Sequence, residues 1–236
     1  MATAHTVKAF DDELDHIRAM ICEMGGLAEA AIRESMHALA YRDQEGAAEI
    51  VRRDERIDAL EAEVEKAVVS VIALRAPMAD DLREVVAALK IAGAVERIGD
   101  YARNIAKRVP SLERSEIEPL SLLPEMGRIA GEMVQMVLNA FAARDPDQAV
   151  LVCERDRAVD DFYNSIFRAL LTFMMENPHT ITTATHLLFV AKNLERIGDH
   201  ATNIAEMVYF AATGRRLVER SRGDDPSTLT TKDLDE

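Results

Sequence analysis

Apolar residues recur along this chain at intervals of three and four, as in Ile57, Leu60, Val64, Val68 and Val71. That interval places side chains on one face of a helix turning every ~3.6 residues. Short breaks interrupt the pattern near Asp43, at Pro77, at Pro146 and at Pro178, while Pro110, Pro119 and Pro124 cluster in one stretch. Proline ends helices because it lacks an N–H and restricts the residue before it. The pattern predicts six helices, at about 7–42, 46–74, 79–108, 122–143, 147–176 and 180–213. Short turns make sequential helices antiparallel. The expected fold is therefore all-α: two repeated antiparallel three-helix bundles, packed with pseudo-twofold symmetry. Residues 1–108 form the first repeat, 109–121 the crossover and 122–217 the second repeat, while 218–236 read as a disordered acidic tail without apolar periodicity.

The repetition is visible in the residues. Glu96-Arg97-Ile98-Gly99-Asp100-Tyr101-Ala102-Arg103-Asn104-Ile105-Ala106 returns as Glu195-Arg196-Ile197-Gly198-Asp199-His200-Ala201-Thr202-Asn203-Ile204-Ala205, identical at nine of eleven positions and offset by 99. Met24-Gly25 matches Met126-Gly127, Arg42-Asp43 matches Arg144-Asp145, and Arg53-Asp54 with Ile57-Asp58 matches Arg155-Asp156 with Val159-Asp160, all offset by 102. A net loss of three residues in the second copy thus falls between Asp160 and Glu195. Pro77 and Pro178 mark corresponding turns within that interval.

Both copies keep a Glu, an Asp four residues on and an Asn four further. Such positions drift by about 40° a step around a helix, so the three oxygen-bearing side chains form one stripe. With Glu195 at the origin, Ile197, Ala201, Ile204 and Val208 fall on the opposite side, which predicts that the stripe faces solvent or a groove. Charges opposite an apolar stripe are also what any amphipathic helix shows, and Arg97–Asp100 and Arg196–Asp199 have the spacing of ordinary i,i+3 pairs. Divergent neighbours sharpen the chemical reading: Arg103 has become Thr202 and Lys107 has become Glu206, while the acids are unchanged. The second helix of each half adds Asp54/Asp58 and Asp156/Asp160. Glu96, Asp100, Glu195, Asp199 and these four aspartates form an all-oxygen set that suits Mg²⁺, Ca²⁺ or Mn²⁺ and can also hold iron. Gly99 and Gly198 cost about 1 kcal/mol each relative to Ala inside a helix, which is expected to return as close helix approach beside the acids.

Composition narrows the functional classes. The 236 residues are 48% apolar and 30% charged, with 5% aromatics and no Trp, as expected of a helical globular protein. A net charge of −14 disfavours nucleic acid and anionic lipid as direct partners. No apolar run approaches the ~18 residues of a membrane span, and a polar start without a signal-like core leads to the expectation of a cytoplasmic protein. Cys22 and Cys153 are isolated and read as small buried hydrophobes. No phosphate-cradling glycine loop or nucleophile motif is present, so no enzyme is expected. Glu13/His16 and Glu34/His37 have the Glu-x-x-His spacing of di-iron bundles. Met136 and Asn139 replace the second pair in the repeat, but this leaves a metal-storage or di-iron redox protein as the alternative reading.

The duplicated E-R-I-G-D-x-A-x-N-I-A string, the two three-helix halves, the acidic balance and the length resemble the PhoU family over about residues 7–213. The family's E(D)-x-x-x-D metal motif maps onto Glu96/Asp100 and Glu195/Asp199, with Asp54/Asp58 and Asp156/Asp160 as associated acids. The resemblance implies a cytoplasmic negative regulator of phosphate uptake and of phosphate-starvation genes. It would link the phosphate ABC transporter ATPase to the phosphate-sensing histidine kinase. It also implies multinuclear iron or zinc, or Mg²⁺ or Mn²⁺, on the acidic stripes, and a homodimer with neither nucleic-acid partners nor direct membrane insertion.

Overall fold

The structure is a computed structural model that describes residues 2–112 and 122–217, with side chains from residue 9 onward. Among the described residues six helices run in order: α1 (Ala2–Tyr41), α2 (Gln44–Arg75), α3 (Asp80–Ala106), α4 (Leu123–Ala143), α5 (Pro146–Glu176) and α6 (Ile181–Thr213). Short 3-10 turns follow α3 at Val109–Leu112 and precede α6 at Pro178–Thr180. Most of the expected crossover, 113–121, and the whole expected tail, 218–236, lie outside the described residues. The predicted helices recur within a few residues, and α1 extends further towards the N-terminus.

The duplicated Arg-Asp pairs are turns. Arg42 and Arg144 adopt positive φ of 57° and 52°, closing α1 and α4. The next N–H reaches back in each case, from Asp43 to the Ala38 carbonyl and from Asp145 to the Ala140 carbonyl, both at 2.9 Å. This satisfies carbonyls that a helix end would leave bare. Each Asp then caps the following helix: the Asp43 carboxylate accepts from the Gly46 N–H, and Asp145 accepts from the Asp147 and Gln148 N–H groups. The three-residue difference between the copies is absorbed at helix ends, one residue after Asp160 in α5 and two before Glu195 in α6.

Helices α1, α3, α6 and α4 enclose a four-sided core, each packing on the next in that order. Helix α2 covers the α1–α3 side and α5 covers the α4–α6 side. One continuous apolar cluster runs through both halves and includes the fully buried Ile21, Met24, Ile98, Ile105, Met126, Met133, Ile197 and Ile204. The pseudo-twofold relation can be read from contacts. A Cβ on Gly25 would meet Leu138, and one on Gly127 would meet Met36. Gly25 and Gly127 are repeat counterparts, as are Met36 and Leu138, so each glycine receives the partner of the other across an antiparallel α1–α4 seam. On the α3–α6 seam the axis passes between Tyr101 and His200, counterparts whose Oη and Nε2 lie 3.4 Å apart. Glu84 of α3 ties the halves at their ends, bonding Arg18 of α1 and lying 2.6 Å from Arg144. Cys22 and Cys153 are half-buried against the core rather than enclosed in it, and burial pushes the Cys22 thiol up.

Candidate functional site

The acid stripe does not look out to solvent. Helix α3 has neighbours on three sides, α1, α2 and α6, so the side opposite its core stripe is the seam with α2. Glu96 and Asp100 are only 16% and 17% exposed there. Asp54 of α2 is buried against them, while Asp58 sits exposed at the rim. The second half repeats the arrangement: Asp156 is buried, Asp160 half-buried and the Glu195 side chain 13% exposed, between α5 and α6. Of the two settings expected for the stripe, solvent or a groove, the structure shows the groove: two enclosed seams, because a three-helix bundle surrounds its third helix on more than one side.

Gly99 and Gly198 make the seams possible. A Cβ on Gly99 would stand 2.8 Å from Ile57 Cδ1 and 3.2 Å from Asp54 Oδ1; one on Gly198 would stand 3.1 Å from Asp156 Oδ1. The missing side chains provide the room in which the buried aspartates lie. The Asn of the stripe separates from its acids in the second half: Asn203 lines a groove between α6 and α3 with Lys90, Gly93, His200 and Glu206. The eight candidate residues therefore divide into two sets, Asp54/Asp58/Glu96/Asp100 and Asp156/Asp160/Glu195/Asp199, one in each half.

Like charges crowd the first seam. Burial pushes the Glu96 carboxyl up to about 7, and the Asp100 charge adds to this; Arg97 pulls the other way, and Glu61 and Asp58 push it up further. Burial raises Asp54 as well, opposed by Arg103 and reinforced by Asp58 and Asp100. Glu61 had no place in the sequence-derived set, yet burial and the charges of Glu65, Asp58 and Asp100 raise it, with Arg97 opposing. It lies three residues beyond Asp58, a spacing that pointed to the same face, but its counterpart Tyr163 hid it from comparison of the repeats. Positive charge enters through Arg97, 3.3 Å from Asp100 Oδ2, and through Arg103, which bonds both Asp54 and Asp100. In the second seam Lys192 lies 3.0 Å from Glu195 Oε1 and 5.0 Å from the centre of the Tyr163 ring.

Among the described residues, no three His, Cys, Asp or Glu side chains converge as a ready ion-holding group. The donor chemistry suits hard cations, but Asp54, Glu96 and Asp100 of the first seam are turned onto arginines. The Glu-x-x-His pairs have other partners. Glu13 is bonded by Arg75 at 2.8 Å, Glu34 by Arg53, and the His37 ring packs on Tyr41. The two pairs stand 21 residues apart on one helix, a separation of about 30 Å, too far to share a dinuclear centre. Burial lowers the pKa of His200 on the pseudo-axis, opposed by Asp199 and assisted by Arg97 and Arg196. No described helix is long and apolar enough to cross a membrane.

Residues 21–109 and 123–208 each match the PhoU domain. The chain is 59% identical over 222 residues to the phosphate-specific transport system accessory protein PhoU homolog of Zymomonas mobilis, covering 94% of both chains. It is 49% identical to the homolog of Caulobacter vibrioides, covering 92% of this chain and 96% of that one. Its fold is similar to the crystal structure of PhoU from Pseudomonas aeruginosa, with a TM-score of 0.85 and 35% identity over 87% of this chain and 100% of the other. The phosphate transport system regulatory protein PhoU from Streptococcus pneumoniae matches with a TM-score of 0.82 and 28% identity, covering 88% and 99%. A twice-matched domain, a repeated acidic seam and near full-length similarity agree: the chain belongs to the PhoU family.

Proposed function

We propose that this protein is a cytoplasmic accessory regulator of phosphate transport. It restrains uptake and holds phosphate-starvation genes off when phosphate is plentiful, as a metal-binding adaptor between the transporter ATPase and a phosphate-sensing histidine kinase. The observation that carries the reading is the similarity at 59% identity to an accessory protein of a phosphate-specific transport system, over nearly the whole of both chains. Physical features support an adaptor. The helices pack around one shared core, and the acidic balance of the chain complements basic protein faces. Exposed apolar side chains at Leu74, Met78 and Met175 offer protein-contact surface near the α2–α3 and α5–α6 turns, and we read the protein as a homodimer.

The ions belong with the carboxylates Glu96, Asp100, Asp54 and Asp58, and Glu195, Asp199, Asp156 and Asp160. Mg²⁺, Mn²⁺, iron or zinc would supply positive charge where like-charged acids are crowded and would fasten each third helix to its second. Deleting the gene in its host tests the regulatory reading: reporters of phosphate-scavenging genes should be switched on in phosphate-rich medium. Expression that stays off in the deletion strain would overturn it.

A further inference from the structure

The repeated string carries a second stripe beside its acids. Arg97, Tyr101 and Asn104 stand at i, i+4 and i+7 on α3, and Arg196, His200 and Asn203 take the same places on α6, so each set shares one side of its helix. The arginine and the asparagine are identical in both copies. The two sets meet at the pseudo-axis. Arg196 lies over the Tyr101 ring, 5.7 Å from its centre, and the Arg97 and Arg196 charges both act on His200. Asn203 lines the same furrow beside Lys90.

Four furrows run between neighbouring helices around the four-sided core. Helix α2 fills the one between α1 and α3, and α5 fills the one between α4 and α6. Among the described residues no helix lies over α1–α4 or over α3–α6. The two open furrows differ in charge. In α1–α4 opposite charges answer each other, and Arg128 donates to both Glu125 and Glu132. In α3–α6, Glu96, Asp100 and Glu195 lie in the flanking seams, while Lys90, Arg97 and Arg196 stay exposed. Arg97 leans on Asp100 and Glu96 at 3.3 and 3.5 Å. Among the described residues neither Arg196 nor Lys90 has a carboxylate within ion-pair reach; Glu206, at the Lys90 end of the furrow, pairs with neither. A guanidinium held over an aromatic ring has its orientation set and its N–H edge free, which suits bidentate bonding to a carboxylate.

We propose that the α3–α6 furrow is a docking surface for an acidic helix of a partner protein, with Arg97 and Arg196 receiving its carboxylates on either side of the pseudo-axis. This deepens the adaptor reading, on which it rests, by giving one of the adaptor's contacts a place and a chemistry. A helix is the fitting occupant because the fold covers its other two furrows in that way, and a furrow between antiparallel helices accepts a third by the same packing. Exposed apolar side chains stand towards the two ends, Val86 about 22 Å from Tyr101 along α3 and Phe189 about 16 Å from His200 along α6. The complement is a helix with an acidic middle and apolar residues towards each end. A nucleic acid or an anionic bilayer would reach beyond the furrow and be repelled by a chain of net charge −14, whereas one helix meets the furrow alone.

The full chain is titrated against a fluorescein-labelled helical peptide of about 25 residues, long enough to span both apolar ends. One face carries glutamates through the middle and leucines near both ends, and a second peptide has lysines in place of the glutamates. Anisotropy should show binding of the acidic peptide, weaker as sodium chloride is raised, and none of the lysine peptide. Arg97→Gln/Arg196→Gln should weaken binding by about tenfold, whereas Arg33→Gln/Arg128→Gln in the α1–α4 furrow should leave it unchanged. If the first double variant does not fold, Arg196→Gln, which breaks no ion pair, takes its place. No binding of the acidic peptide, or equal weakening by the two double variants, would overturn the proposal. In the host, Arg97→Gln/Arg196→Gln should switch on phosphate-scavenging genes in phosphate-rich medium, as the deletion does. Genes on in the deletion strain but off in the variant strain would overturn the docking surface and leave the regulatory reading standing. Genes off in both would overturn the regulatory reading, and peptide binding then decides the surface.

Discussion

A carboxyl group enclosed by protein loses the hydration that favours its charge, and neighbouring carboxylates penalise that charge again. Glu96 experiences both effects. Its folded-state pKa is pushed to about 7 from an ordinary 4.5, by burial first and then by Asp100. The folded state therefore holds a proton that the unfolded chain releases between those values, so stability falls as pH rises from 4.5 to about 7 and then levels off. Glu96→Gln removes the titrating group while keeping its shape. In EDTA, the variant should be more stable than the wild type by about 1–2 kcal/mol at pH 8, a value discounted because the carboxylate still touches water. The advantage should shrink as pH falls and vanish below 4.5. Urea unfolding of both proteins at pH 5 and pH 8 measures it, and an advantage equal at the two pH values would contradict the assignment.

Element-scale packing depends on which glycines are covered and by what. A Cβ on Gly25 would meet three atoms of Leu138, both methyl tips and the branch carbon, so the branch point as well as the tips would have to move. On Gly127 the encroaching group is Met36, an unbranched side chain that can change rotamer. Gly26 has open space around its Cβ position. Gly25→Ala should therefore destabilise by about 1–3 kcal/mol through overpacking, Gly127→Ala should cost less, and Gly26→Ala should stabilise by up to about 1 kcal/mol through helix propensity. Thermal unfolding of the three variants gives the order, and a Gly26→Ala variant weaker than Gly25→Ala would refute it. These residues also mark how far the sequence could be read. The helices, their turns and the twofold repeat were legible because apolar spacing, prolines and Arg-Asp pairs are local signals. The α1–α4 contact was not: the duplicated Met-Gly pairs were visible, but nothing local identifies Leu138 as the side chain that covers Gly25. The acid stripe was legible in part. A helical wheel shows that Glu195 and Asp199 lie opposite Ile197 and Ile204 and leaves solvent or a groove on that side, and only the fold shows that α5 fills it. Arg103 illustrates the last gap, since the repeat marked it as drift beside Thr202 while the fold makes it a bridge between Asp54 and Asp100.

At the scale of the whole molecule, duplication did not produce two independent bodies. Helix α3 packs on α6 as extensively as on the helices of its own half, and α1 packs on α4, so the faces that close the core of one repeat are supplied by the other. Separating the repeats would expose the α3–α6 seam at Tyr101 and His200 and uncover the α1–α4 seam at Gly25 and Gly127. Apolar surface of that kind, lost together, makes unfolding a single event. The full chain in EDTA should therefore unfold in one calorimetric transition with equal calorimetric and van't Hoff enthalpies. Disrupting one seam should lower the Tm of the entire molecule: Gly25→Ala, although placed between α1 and α4, should shift the unfolding of α2 and α5 to the same extent, as read by hydrogen exchange in each helix. Two resolved transitions, or protection lost in α1 and α4 alone, would mean that the repeats are energetically separate despite their shared core. A single transition would mean that any stabilisation gained at the α5–α6 seam is felt at the α2–α3 seam as well, because the two share one core.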